Sequence, residues 1–222
     1  MAAAGAAMDG GAHHDGFSDY VANQHIDWTG TSENFSTSGT VNAITVGLGA
    51  GSVSTNVAIG TAPLAANTTG ANNIAIGSGA LDANTVGVGN IAIGTNALGV
   101  NTIGIQNVAC GNGALDANTT GSNNFALGVN SLSANTIGTD NVAIGTNALV
   151  ANTTGVDNIA VGGFALGNNS TGIQNTAIGK SAGSTITTGT NVTCIGYDAE
   201  PSSATATNEA TIGNTSVATS RV

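Results

Sequence analysis

The chain has 222 residues, of which 34 are glycine and only 6% are charged, with a formal net charge of −10. That composition fits neither an average globular domain nor a disordered polyampholyte. With two Lys and Arg residues in all, no phosphate clamp can be built, and the acidic balance argues against nucleic acid or an anionic membrane as partner.

Residues 1–16 are rich in Ala and Gly and read as a flexible N-terminus. His13 and His14 lie there and, with His25, are the only imidazoles. One His per chain on a three-fold axis would make a three-ligand metal site, but the pair sits in a flexible stretch and no metal is assigned. Residues 17–28 predict a short helical or irregular segment, and 29–55 an extended lead. Together 17–55 form an attachment or capping segment. Tyr20, Ile26 and Trp28 cluster in it and are assigned to docking on partner proteins; the competing role is to cap the first repeat and cover its strand edge. Val46-Gly-Leu-Gly49 reads as an irregular first coil.

From Gly60 to Gly213 a glycine recurs every 17 residues, ten times, with no insertion or deletion. So strict a register requires each unit to stack on the one before it. One unit reads Asn73-Ile-Ala-Ile-Gly-Ser-Gly-Ala-Leu-Asp-Ala-Asn-Thr-Val-Gly-Val-Gly89. It is too short for a helical hairpin repeat and suits one coil of β structure. The expected strands are Ile74–Ile76 and 84–86, with turns at Gly77 and Gly87. Alternation sends Ile74 and Ile76 to one side and Ala75 to the other.

Two Ile and one Leu per coil are the expected core, with Phe125 taking an Ile position. The Ala, Gly and Ser face is the expected contact with another copy. So little apolar side chain for 17 ordered residues predicts an obligate homo-oligomer. Asn56, Asn73, Asn90 and their successors stack into an amide ladder. At about 4.8 Å per coil the shaft is on the order of 50 Å long. Residues 197–222 relax the pattern, with Pro201 interrupting and Ala206 in a glycine position, and read as a C-terminal cap or transition.

Few side chains suggest chemistry. Asp140 and Asp157 share a column in adjacent coils at a spacing that suits a glycosidase pair. Their column also holds Asn72, Gly89, Gln106, Asn123 and Gln174, so it reads as a polar edge, and no catalytic residue is assigned. Cys110 and Cys194 are five coils apart, too far for a bridge. They read as small hydrophobes, with Cys194 the candidate for contact between copies. Phe164 stands in a turn column of small and polar residues and is assigned as an exposed contact, since exposed rings stack on sugars or partner proteins. The threonines at 68, 85, 102, 119, 136 and 153 raise an ice-binding array, weakened by the mixed column beside them.

The run Asn-Ile/Val-Ala-Ile-Gly followed by Ala-Leu, over residues 56–196, resembles the head repeats of trimeric autotransporter adhesins. That resemblance implies a homotrimer of left-handed parallel β-rolls. Two flanks are similar to bacteriophage tail-fibre proteins: residues 17–28, and residues 208–221, which are similar to the stretch before a self-cleaving trimerisation chaperone. The expected fold is therefore all-β, a left-handed parallel β-roll in a homotrimeric fibre, with domains 1–16, 17–55, 56–196 and 197–222. The expected function is non-enzymatic: a virion tail fibre for structure and host attachment. Its partners would be virion tail or capsid proteins and a host-surface glycan or protein, with no cofactor. The head of a bacterial surface adhesin is the alternative, ahead of a polysaccharide-degrading spike or an ice-binding solenoid. Met1-Ala-Ala-Ala-Gly5 lacks the basic start and apolar run of an export signal, and no anchor-like segment follows the repeats, which favours the virion.

Overall fold

The computed structural model describes residues 40–41 and 44–215. Among these residues twelve strands form one sheet in chain order. Ten of them are parallel and three residues long: β3 (Val57–Ile59), β4 (Ile74–Ile76), β5 (Ile91–Ile93), β6 (Val108–Cys110), β7 (Phe125–Leu127), β8 (Val142–Ile144), β9 (Ile159–Val161), β10 (Thr176–Ile178), β11 (Thr193–Ile195) and β12 (Ala210–Ile212). Each residue pairs with the one 17 further on, so Ala58 faces Ala75 and Ala75 faces Ala92. The protein is an all-β parallel solenoid, with one strand per coil and nine intervals of about 4.8 Å, or about 43 Å of stacked sheet.

Each strand stops at a corner glycine. Gly145 has φ 131°, and a Cβ there would lie 2.7 Å from the carbonyl carbon of Gly162. Backbone rests on backbone at this corner, so only glycine fits. The rest of the coil is turns. The expected second strand at 84–86 does not form, because one carbonyl serves two donors: the N–H groups of Thr85 and Val86 both donate to Thr102 O, at 2.9 and 3.3 Å. A strand ladder needs those donors to alternate in direction.

Of the expected core the leucine is inside as expected, but the strand faces are reversed. Ala75 and its column point inward and are fully buried, while Ile74 and Ile76 point outward. At that position the coil interior holds a small side chain, alanine from Ala58 to Ala177 and then Cys194. Bulk comes from the expected leucine corner alone, Leu64 to Leu166, seven side chains fully buried. These leucines adopt φ between 50 and 52°, a left-handed conformation uncommon outside glycine. Hydrogen bonds hold it: Leu81 N–H donates to Ala97 O at 3.1 Å, and Leu81 O accepts from Asn84 N–H at 3.1 Å. Phe125, too, lies on the outer face rather than in the core.

Two asparagine ladders complete the interior. In the expected one, Asn73 N–H donates to Asn56 Oδ1 at 2.9 Å and Asn73 Nδ2 to Gly87 O at 2.8 Å. A second starts at Asn67: Asn84 Nδ2 donates to Asn67 Oδ1 at 3.0 Å and to the same Gly87 O at 3.2 Å. The glycine carbonyl is the joint between the ladders. These bonds satisfy polar groups that burial would otherwise make costly. Among the described residues, one buried side-chain atom lacks a partner: Asn169 Oδ1, where Ile186 ends the second ladder.

The first edge of the stack is covered, and the last coils depart from the repeat. Val46-Gly-Leu-Gly49 is not a coil: β1 (Thr40–Val41) and β2 (Ile44–Gly47) are antiparallel, and β2 lies antiparallel on β3, pairing Val46 with Ile59. That pairing covers the open edge of the first parallel strand. At the other end, Glu200 and Glu209 replace the buried Leu and Asn of the repeat. Glu200 accepts from Ser184 Oγ at 2.5 Å and Thr185 Oγ1 at 2.7 Å. Glu209 accepts from Ser202 N–H and Ser202 Oγ, both at 2.6 Å.

Candidate functional site

Turning alanine inward leaves the flanking positions of each strand on the outside. Two columns result. The first runs Val57, Ile74, Ile91, Val108, Phe125, Val142, Ile159, Thr176, Thr193 and Ala210; the second runs Ile59, Ile76, Ile93, Cys110, Leu127, Ile144, Val161, Ile178, Ile195 and Ile212. None of these twenty side chains is charged, and sixteen are large and apolar. Their exposure is 41% at Leu127 and 44% at Ile178, and reaches 73% at Ile212 in the last strand. A stripe of this kind along the whole stack is far more continuous than the scattered apolar residues of an ordinary soluble surface. Sequence reasoning placed these residues inside and so missed the face.

The carboxylates lie elsewhere. Asp140 and Asp157 sit on the turn just before each buried Asn, both with φ 58°. Asp140 Oδ1 accepts from Asn123 Nδ2 at 3.1 Å, and both carboxylates are exposed. Asp116 lies on the leucine turn, where burial pushes its carboxyl above the usual range. Among the described residues no three His, Cys, Asp or Glu side chains group to hold a metal.

The threonine column is occupied by the solenoid itself. Thr85 Oγ1 donates to Thr102 O at 3.0 Å, and Thr102 Oγ1 to Thr119 O at 3.0 Å. Each hydroxyl helps bind coil to coil. Both cysteines are free: Cys194 is a buried small residue of the alanine column, as expected, whereas Cys110 lies on the outer stripe. Burial, followed by the charges of Glu200 and Glu209, pushes the Cys194 thiol up to about 11. Phe164 stands on a turn with φ 59° and is 48% exposed. Tyr20, Ile26 and Trp28, like the three histidines, lie outside the described residues.

Compared with protein-family models, curated proteins and solved structures, the chain matches none.

Proposed function

We propose that this chain is the shaft of a homotrimeric fibre, a non-enzymatic virion protein of the bacteriophage tail-fibre class that builds a stiff rod and serves host attachment. The uncharged apolar strand face carries this reading. Water is a poor neighbour for two uncharged columns made mostly of Ile, Val, Leu and Phe. A second copy of the chain is the natural cover, because a 17-residue repeat offers the same stripe at the same spacing on every copy. The contact surface is then the large-residue face, not the alanine face.

Three copies, rather than two, and a left-handed winding follow the adhesin-head resemblance of residues 56–196. A trimer carries a net charge of −30, three times −10. Its acidic groups on the turns are clear of the apolar face. The virion assignment follows the resemblance of residues 17–28 and 208–221 to tail fibres, with Tyr20, Ile26 and Trp28 docking on tail or capsid proteins. Attachment works by avidity: three aligned copies turn weak contacts with a host-surface glycan or protein into a firm hold.

Light scattering behind a sizing column tests this reading. The expected mass is about three times the 21.2 kDa chain, with an elongated hydrodynamic shape. A folded monomer with the strand face bare overturns it.

A further inference from the structure

Three consecutive coils carry an unusual set of side chains on one turn, the corner that follows the strand. Phe164 lies on the first, Lys180 on the second and Tyr197 on the third. Elsewhere this corner holds mostly small or polar residues such as Ser78, Thr95, Asn147 and Thr146, with Val129 the apolar exception. Lys180 is the only basic side chain among the described residues, and Phe164 and Tyr197 are two of the three aromatic ones. All three are exposed, Tyr197 by 64%. Lys180 makes no ion pair among the described residues.

The backbone beneath them is fixed. Phe164 N–H donates to Thr146 O at 3.0 Å, Ser181 N–H to Gly163 O at 2.9 Å, and Asp198 N–H to Lys180 O at 3.0 Å. Each rung is thereby locked to the one before it. Phe164 shares its column with Ser181 and Asp198, one residue beyond that of Lys180 and Tyr197. Two coils separate the aromatic positions, about 10 Å along the stack at the sheet spacing, a span that a disaccharide unit bridges. Gly163 leaves the corner open beside Phe164, since a Cβ there would meet only Thr146 O at 3.7 Å.

The geometry points to a binding site for a carboxylated saccharide on this corner. The apolar C–H face of a pyranose stacks on an aromatic ring, whose π face is electron-rich. Phe164 and Tyr197 supply two such platforms. Lys180 between them meets the carboxylate of a uronate or sialate unit with a charge-assisted hydrogen bond. Asp198, exposed beside Tyr197, accepts from a sugar hydroxyl. The chain as a whole is strongly acidic, so a cation that stands alone among the described residues gives an anionic ligand a place to settle on the stack. This site deepens the attachment role proposed above by naming a ligand class. It lies on the turn, so it does not require the apolar strand face to be free.

An array of uronate- and sialate-bearing oligosaccharides, with carboxyl-reduced counterparts, tests the site, followed by calorimetry on the tightest binder. The sample is the full chain whose mass has already been measured, so loss of assembly and loss of this site are read separately. Three substitutions place at each position a residue that the corner carries in other coils: Phe164→Asn, Lys180→Ser and Tyr197→Thr. Removing either ring is expected to weaken binding by at least about tenfold. Lys180→Ser should erase the preference for the carboxylated over the reduced form. Absence of binding across the array, or binding that all three variants retain, overturns the proposal while leaving the rod intact.

Discussion

Ile186 fills the space that a leucine fills in the coils before it, and Gly183 stands where that leucine would be attached. Gly183 follows Leu166 in the corner column with φ 61°, and a Cβ on it would lie 3.1 Å from Ile186 Cδ1. Ile186 in turn replaces an asparagine and leaves Asn169 Oδ1 without a partner. The two positions have traded core and ladder duties. Gly183→Leu alone overpacks the corner and should cost about 1–3 kcal/mol. Ile186→Asn alone leaves a void and should cost about 2–5 kcal/mol. Together they restore the repeat, so the double variant should recover wild-type stability in urea titrations, with a coupling of about 2 kcal/mol or more. Simple addition of the two losses would falsify the exchange.

The first asparagine ladder makes a second forecast. Asn158 gives both its backbone N–H and its Nδ2 to Asn141 Oδ1, each at 3.0 Å. Asn141→Ala therefore strands the buried backbone N–H of Asn158 and leaves its Nδ2 with Gly172 O alone, at about 1–3 kcal/mol per lost bond. At the end of the ladder, Asn175 Oδ1 accepts only Val192 N–H, at 3.0 Å. Asn175→Ala strands one donor and should cost roughly half as much. Denaturation midpoints of the two variants decide it, and equal losses would remove the ladder's asymmetry.

Much of this was legible in the chain because the repeat is strict. The corner glycines gave the register, and the Asn at the start of each strand gave the first ladder. Alternation correctly separated Ile74 and Ile76 from Ala75. It did not say which side is inside, and the usual preference for large residues in the core pointed the wrong way. What decides the matter is the room inside the coil, which no periodicity encodes. The second ladder was visible in principle: Asn67, Asn84, Asn101, Asn118, Asn135, Asn152 and Asn169 repeat without exception while the residue two places on varies between Thr, Val and Ile. Reading the Asn-Thr pair as a strand start hid it. The docking residues Tyr20, Ile26 and Trp28 lie outside the described part of the chain, so the stack itself says nothing of them.

Acid should loosen the C-terminal end first. The hydroxyl and backbone N–H of Ser202 hold the Glu209 carboxyl below its ordinary value of 4.5. A depressed carboxylate contributes stability that is present above its unfolded pKa and lost as pH falls through the folded one. Asp116 has the opposite sign, since burial raises it from 3.8 and protonation relieves that penalty. Below about pH 4.5 the Ser202 amide should therefore exchange with solvent well before the central coils. Glu209→Gln should show fast Ser202 exchange at neutral pH and little further change on acidification. A profile unaltered by that substitution would place the acid-sensitive group elsewhere.

The two thiols report on opposite sides of the wall. Cys194 is inside, with its thiol pushed up to about 11, so at pH 8 it is protonated as well as enclosed. It should resist iodoacetamide for as long as the coil stays folded. Cys110 sits on the outer stripe, paired along its column with Ile93 and Leu127. Copies packed through that stripe shield Cys110, and a protein with the stripe bare does not. The pair Ile93→Asp and Leu127→Asp puts carboxylates on the stripe without touching the interior, so it should yield folded monomers whose Cys110 alkylates rapidly. In the wild-type assembly the same thiol should react at least about tenfold more slowly, the signature of a site that opens only when copies separate. If Cys110 reacts equally fast in both, the strand face is not where copies of this chain meet. Since Cys194 stays silent in both samples, the comparison carries its own check that neither has unfolded.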